Sequence, residues 1–237
     1  MDISVITACF YPDEKPLSVM RKSAERVGVN VVPYGVGKPY GGFMDSKCVQ
    51  LLDVLSSMKS EYVLYVDACD VVFQLGIEAI RDRYRKITPE SKIVLAGDNA
   101  LHPYERKSRW FTKRAPLGNM YQYPCVGVFM GKRVDVIRAL SQMLKLRDEI
   151  GKDVKKKFYE NDQGWWILAM TYGRVEALID YECQISLSMH HYKPDWFLST
   201  KPLVVVKNGI CPAIIHFNGQ KPKGKLYNDL VGSMGLL

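Results

Sequence analysis

The stretch YVLYVDACDVVF, residues 62–73, constrains the fold most. Five apolar or aromatic residues run straight into Asp67 and Asp70, and Val71, Val72 and Phe73 follow. An unbroken run of this kind, without polar alternation, reads as a strand buried on both faces. A buried charge is costly unless it is paired or bound to a metal, so the two acids mark either the strand's end or a place where something positive is held. The plainer alternative is a turn in which Asp70 caps nearby backbone.

Strands and helices alternate on either side of this segment. DISVITACF (2–10) and VNVVPYGV (29–36) are short apolar runs bounded by Pro and Gly and read as strands. Between them Leu17, Met20, Ala24 and Val27 recur at helical spacing until Gly28. Residues 45–58 repeat Cys48, Leu51, Leu52, Leu55 and Met58 in the same way, with Asp45 placed as N-cap. Further helices are expected over 77–87, 134–150 and 162–173, and extended segments over 92–97, 126–131, 177–187 and 212–219. The order β-α-β-α-β-α-β, then mixed elements, predicts an α/β fold: one domain with a mostly parallel central sheet and helices on both faces. Ligands bind such sheets outside the carboxyl ends of the strands, where Asp67 and Asp70 stand.

At 237 residues, 47% of them hydrophobic, the chain suffices for one substantial core. MDISVITACFYP lacks the pattern of a signal peptide and no run of eighteen apolar residues occurs, so a cytoplasmic protein without a membrane partner is expected. Six cysteines without C-x-x-C spacing are expected as reduced thiols. The net charge of +8 gathers in RDRYRK (81–86), RKSRWFTKR (106–114), KDVKKK (152–157) and KPKGK (221–225), which favours acidic partners. In the second of these Lys107, Arg109, Lys113 and Arg114 interleave with Trp110 and Phe111. Such a surface can hold phosphates while stacking on bases; the bland alternative is a solvated basic face.

A D-x-x-D pair at a strand end can present two hard oxygen ligands to Mg²⁺ or Mn²⁺, through which a diphosphate is held. The order of the remaining motifs resembles one family, the GT-A glycosyltransferase domain of lysyl hydroxylases and of the collagen glucosyl- and galactosyltransferases. VDACDVVF is similar to its acidic motif, and residues 31–55 to its glycine-containing donor loop and the helix after it. YPCVGVFMG (123–131) is similar to its strand with a small-residue turn, and ENDQGWW (160–166) to its acidic D-Q helix start. IDYECQISLSM (179–189) matches its D-x-x-x-x-I-F-Q strand and IIHFNGQKPKGKL (214–226) its H-G-N-G segment, so that the resemblance runs over residues 2–232.

The resemblance implies a GT-A domain with a nucleotide-sugar half over about 1–100 and an acceptor half over about 101–237. It implies Asp67, Asp70 and His216 as ligands of Mn²⁺ or Mg²⁺, a set whose imidazole and carboxylates suit Mn²⁺. Gly41, Gly42, Lys47, Gly219, Lys223 and Lys225 are implied around the diphosphate of a nucleotide-sugar, by family a UDP-sugar. Asp162 is implied beside the transferred sugar, as the catalytic acid–base group or as a grip on its hydroxyls; the alternative is a helix N-cap, for which Asn161 or Asp162 is suited. His102, His190 and His191 have no counterpart in these motifs. The sequence also departs from the family. Cys125, Val126, Gly127 and Val128 replace an Asn and a glycine pair, Cys69 stands where an aromatic residue often stacks on the base, and Phe217 replaces a glycine beside His216. Glycosyltransferases of this general fold decorate hydroxymethylated pyrimidines in phage DNA, so the first acceptor expected is such a base in double-stranded DNA, held by the basic aromatic stretch. A protein hydroxylysine or a glycan is the alternative, and a non-catalytic nucleotide or nucleic-acid binding module the second.

Overall fold

A computed structural model describes residues 1–154, 159–192, 194–200, 203–206, 208–219 and 224–237. β3 (Tyr62–Val66) is buried along its whole length in the interior of the sheet, as its unbroken apolar run requires. β1 (Ile3–Ala8) lies parallel to it on one side, followed by β2 (Val31–Tyr34) at the edge. On the other side come β6 (Tyr123–Lys132), antiparallel, and then β5 (Ile93–Asp98), flanked by β7 (Ala177–Asp180) and β8 (Ser186–Ser188). β11 (Ile214–His216) pairs with β8, and β4 (Val71–Phe73) closes the far edge. β9 (Phe197–Ser199) and β10 (Val205–Val206) form a separate antiparallel pair.

The fold is therefore mixed α/β with a mostly parallel sheet, as its sequence order predicts, and two strands are reversed in it. β6 runs against both β3 and β5, and β4 runs against β11. The connection from β5 to β6 carries only short helices, α4 (Ser108–Thr112) the longest, and lacks the crossover that would return a parallel strand. The four residues 67–70 between β3 and β4 are likewise too few for a crossover. β4 instead pairs antiparallel with β11, the neighbouring strand at that end of the sheet order, and Val71 stands opposite His216.

Helices cover both faces. Met20 and Ala24 of α1 (Ser18–Arg26) and Ile80 and Tyr84 of α3 (Ile77–Ile87) pack on Tyr62, Leu64 and Val66. The alternate residues Val63 and Tyr65 face α2 (Gln50–Ser57), α5 (Arg133–Ile150) and α6 (Asp162–Thr171). α7 (Lys225–Ser233) closes a third cluster, with Tyr227 and Leu230 against Ile215 and Phe217. At roughly 25 cal/mol per Å² of apolar area, burial in these clusters is the main force holding the sheet between its helices.

Three local departures shape the site. The helix expected from residue 45 opens as a π-helical turn, Asp45–Val49, and Asp45 does not cap it; its Oδ2 accepts from Gln50 Nε2 at 2.9 Å. Such turns recur at functional sites. The strand expected over 177–187 splits because the Asp180 carboxylate accepts from Gln184, Ile185 and Ser186 N–H at 2.9, 2.7 and 3.2 Å. Burial pushes the Asp180 carboxyl up to about 6 against those donors. In β6 the register shifts, Leu95 facing Phe129 and Ala96 facing Cys125, so that Val126, Gly127 and Val128 bulge away from β5. All six cysteines are free thiols. Among the described residues no helix is long and apolar enough to cross a membrane.

Candidate metal centre and its two clefts

The carboxyl ends of β1, β3, β5, β8 and β11 open on one edge of the sheet. Asp67 follows β3, Asp70 precedes β4 and His216 ends β11, so the β4–β11 pairing carries Asp70 to the imidazole. His216 Nε2 lies 3.6 Å from Asp67 Oδ2 and 3.5 Å from Asp70 Oδ2. One ligand atom from each residue falls within 4.8 Å of the others, and among the described residues this is the one such group.

Each of the three groups is held from behind. Asp67 N–H donates to Gly127 O at 2.7 Å, and its Oδ1 receives Lys47 Nζ at 2.5 Å and the Tyr65 hydroxyl at 3.1 Å. That leaves Oδ2 to face His216. Phe217 N–H donates to Asp70 O at 2.7 Å, and Met189 N–H to His216 O at 2.8 Å. Cys125 Sγ stands 3.5 Å from His216 Nδ1, so the second ring nitrogen is turned away from the carboxylates. The bulged Gly127 leaves the space: a Cβ there would sit 2.1 Å from His216 Cε1 and 2.7 Å from Asp67 Oδ2.

The electrostatics follow from this packing. Burial disfavours a charged imidazole, but the Asp70 carboxylate outweighs it and holds His216 well above the usual histidine range. Burial alone would raise Asp70; His216 overrides it, and the carboxyl lies below the ordinary range. Burial raises Asp67 against the pull of Lys47 and His216. Lys47 is kept charged, since Asp162 and Asp67 more than offset the cost of burial. Two carboxylates and an imidazole around a space that only glycine leaves open fit a divalent cation of the Mn²⁺ or Mg²⁺ kind.

Two clefts meet at these acids. One, about 470 Å³, is walled by Phe10, Tyr11, Tyr40, Phe43 and Cys69. The other, about 480 Å³, is lined by Asp98, Asp162, Gln163, His190 and Asn218 among others. Asp67, Asp70, Lys47 and Phe43 belong to both.

The family model described as PLOD GT domain matches residues 3–230. The chain belongs to the PLOD GT domain family. A curated relative, the uncharacterized protein R699 of Acanthamoeba polyphaga mimivirus, is 29% identical over 213 residues, 84% of this chain and 41% of that protein. The chain thus spans about two fifths of that relative's length. A glycosyltransferase involved in the glycosylation of the major capsid of PBCV-1 shares the fold at a TM-score of 0.56 and 12% identity, over 99% of this chain and all of that one.

The residues singled out by sequence fall in different places in this PLOD GT domain. Asp67, Asp70, His216, Lys47 and Asp162 come together, with Lys47 Nζ 3.5 Å from Asp162 Oδ2. Asp162 is buried in the first turn of α6 while Asn161 caps that helix, accepting from Gly164 N–H at 2.7 Å. Gly219 lines the second cleft. Gly41 and Gly42 stand in the chain ahead of the π-helical turn rather than among the lining residues of either cleft. Lys225 is exposed and pairs with Asp229 on its own helix at 2.6 Å, and Lys223 lies outside the described residues, as do 155–157 of the KDVKKK run.

Phe111 is 1% exposed and packs in the core, so it offers no face to a base. Trp110 is partly buried, and the Arg114 guanidinium covers its ring at 3.7 Å from the centroid. Lys107 lies over the Tyr172 ring at 5.2 Å, while Arg109, Lys113 and Arg114 are exposed. Phe217 does not crowd His216; it turns into the third cluster, edge-on to Tyr227. Cys69 replaces the family's aromatic residue, but Phe10, Tyr11 and Tyr40 wall that cleft from elsewhere, with Cys69 Sγ 3.5 Å from the Tyr11 hydroxyl. Tyr65, Asp98, Asn218 and His190 escape sequence reasoning. Two of them carried a signal: Tyr65 stands two residues before Asp67 in the same extended run, and Asn218 is the Asn of the segment that resembles H-G-N-G.

Proposed function

We propose that this PLOD GT domain transfers a sugar from a nucleotide-sugar donor, by family resemblance a UDP-sugar, to an acceptor hydroxyl. The observation that carries the reading is the position of Asp67, Asp70 and His216 at the meeting of an aromatic cleft and a polar one. The first is lined only by residues between 8 and 70, and the second mostly by residues 98–219, which supports a donor half and an acceptor half divided near residue 100. Phe10, Tyr11 and Tyr40 would flank the base. A divalent cation on Asp67, Asp70 and His216 would supply Lewis-acid stabilisation of charge growing on the diphosphate. Lys47 would add a fixed positive charge beside it, and Asp162, oriented by Lys47, would grip sugar hydroxyls.

The acceptor side is polar and carries Asp98, Asn218 and His190, which suits a hydroxyl-bearing protein side chain or glycan. DNA carrying 5-hydroxymethylpyrimidine is the second reading. The exposed Arg109, Lys113 and Arg114 favour it, but the covered Trp110 and buried Phe111 leave it without a stacking ring. The deciding assay is release of free nucleotide from a panel of nucleotide-sugars with and without Mn²⁺, in wild type, D67N, D70N and H216Q. Metal-dependent release lost in all three variants is the expected result. Release without metal removes the metal assignment, and no release from any donor leaves the binding module. A hydroxylysine peptide and hydroxymethylated duplex, offered in parallel, separate the acceptors.

A further inference from the structure

The polar cleft holds a second group of side chains that the metal centre does not use. Asp98, buried at the carboxyl end of β5, accepts from Asn218 Nδ2 at 2.7 Å on Oδ2 and from Ala100 N–H at 3.2 Å on Oδ1. His190 follows β8. Its N–H donates to Asn218 Oδ1 at 3.1 Å, and its Nδ1 stands 3.8 Å from Asp98 Oδ1. Asn218 thus ties both residues to the strand end that bears His216. The turn Met189–Tyr192, closed by Tyr192 N–H on Met189 O at 3.1 Å, holds His191 at a φ of 57°. A side chain in that region is strained, and strain of this kind collects where a site needs a fixed geometry. His191 stacks on the His190 ring at 3.9 Å between centroids. On another side Gly219, at a φ of +68°, lets the ring in; a Cβ there would lie 2.7 Å from His190 Cδ2.

We infer that His190 is the catalytic base of acceptor attack and that Asp98 is the residue that positions it. This rests on the glycosyl-transfer reading above. The acceptor hydroxyl gives its proton to His190 Nε2 as its oxygen forms a bond to the anomeric carbon of the donor. The bond from that carbon to the diphosphate oxygen breaks, and its electron pair leaves with the diphosphate. The imidazolium so formed faces the Asp98 carboxylate and returns its proton to water. Asp162 is less suited, because its carboxylate is held by Lys47. The groups facing His190 are Asp98 from β5, His191 from its own turn and His102 from the segment after β5. Burial keeps the imidazole below the usual histidine range in spite of Asp98, so it is neutral and able to accept a proton at neutral pH.

The test begins with wild type, UDP-glucose and UDP-galactose, Mn²⁺, and a hydroxylysine peptide or glycerol as acceptor. Absence of turnover with any donor overturns the transfer reading, and this inference with it. Given turnover, H190Q is expected to lose at least about 100-fold in kcat for transfer, the lower end of what a general base contributes. The fall in wild-type kcat on the acid side of the profile should vanish in H190Q. In D98N it should move to lower pH, since the carboxylate that raises His190 is gone. Added imidazole should restore transfer to H190A, measured in the cold if H190Q melts early. Transfer by H190Q within about threefold of wild type, an unchanged acid limb, or no rescue of H190A would each overturn the assignment while leaving the transfer reading intact.

Discussion

Gly127→Ala tests the candidate metal centre directly. Gly127 sits in β6 without a positive φ, so alanine fits its backbone and the whole penalty is steric. The new Cβ starts 2.1 Å from His216 Cε1, and must open that gap to the 3.4 Å at which ordinary contact begins. The ring, tied through Met189 N–H on its own carbonyl and flanked by Cys125, has to move by about 1.3 Å, several times the ~0.2 Å tolerance of a metal–ligand bond. Overpacking of this size costs about 1–3 kcal/mol, and at 2–4 °C per kcal/mol for a chain of this length the melting temperature should fall by about 2–12 °C. Loss of one ligand in three should weaken Mn²⁺ binding, measured by calorimetry, by at least about 100-fold, and abolish metal-dependent nucleotide release. Gly131→Ala is the control: its Cβ would press on Ile93 at 3.0 Å, far from the acids, so it should cost stability alone. G127A with Mn²⁺ affinity within about threefold of wild type would show that these groups do not converge on an ion.

Other outcomes follow from the same geometry. Lys47→Met should raise the donor KM at least about tenfold, about 1.4 kcal/mol, while Mn²⁺ binding holds or tightens, because the ammonium no longer occupies Asp67; loss of both in parallel would argue against a diphosphate role. His216 is held above its ordinary range by Asp70, so without metal its contribution to stability is complete below about pH 6.5 and is lost as pH rises through the folded value. Wild-type melting without metal should therefore fall across that window relative to H216Q, and Mn²⁺ affinity should rise with pH by up to about tenfold per unit. Phe111→Ala should cost about 3–5 kcal/mol in thermal or urea melts, as a core deletion does. Joint loss of Arg109 and Lys113 should leave stability within about 0.5 kcal/mol per site and lower the salt slope of any duplex binding; an unchanged slope would take DNA off this surface.

How much was legible depends on how far apart in the chain the partners lie. β3 and its two terminal acids are a local signal, twelve consecutive residues whose apolar run and abrupt charge need no distant partner to be read. The helices facing the sheet were visible for the same reason, since their apolar spacing is a short-range property. The antiparallel turn of β6 was not, because strand direction depends on what the connection 99–122 does rather than on the strand's own residues. Phe111 misled for a related reason: flanking lysines and arginines describe the outer face of a short helix, while the ring between them takes the inner one. His216 was read only through the order of motifs, since a histidine after three apolar residues is by itself an ordinary core residue.

The Asp98–Asn218–His190 group marks the far limit of such reading. Asn218 reaches Asp98 across 120 positions and His190 across 28, and neither spacing has a periodicity that announces it. What brings them together is the sheet order, in which β5, β8 and β11 are neighbours although other elements separate them in the chain. The same order places His216 beside Asp70, so one arrangement of three short strands carries the proposed metal ligand His216 on one side and the proposed base His190 on the other. Coupling of this kind predicts that damage to the β8–β11 pairing reaches both functions. Ser188 faces His216 across that ladder, and both side chains are buried. Ser188→Pro removes the backbone donor and forces a fixed φ at that point, which a strand paired on both sides does not accommodate. Mn²⁺ affinity and the His190-dependent acid limb should then fail together in S188P, while D98N alters the limb alone. Independent failure of the two in S188P would mean that the shared strand does not hold both.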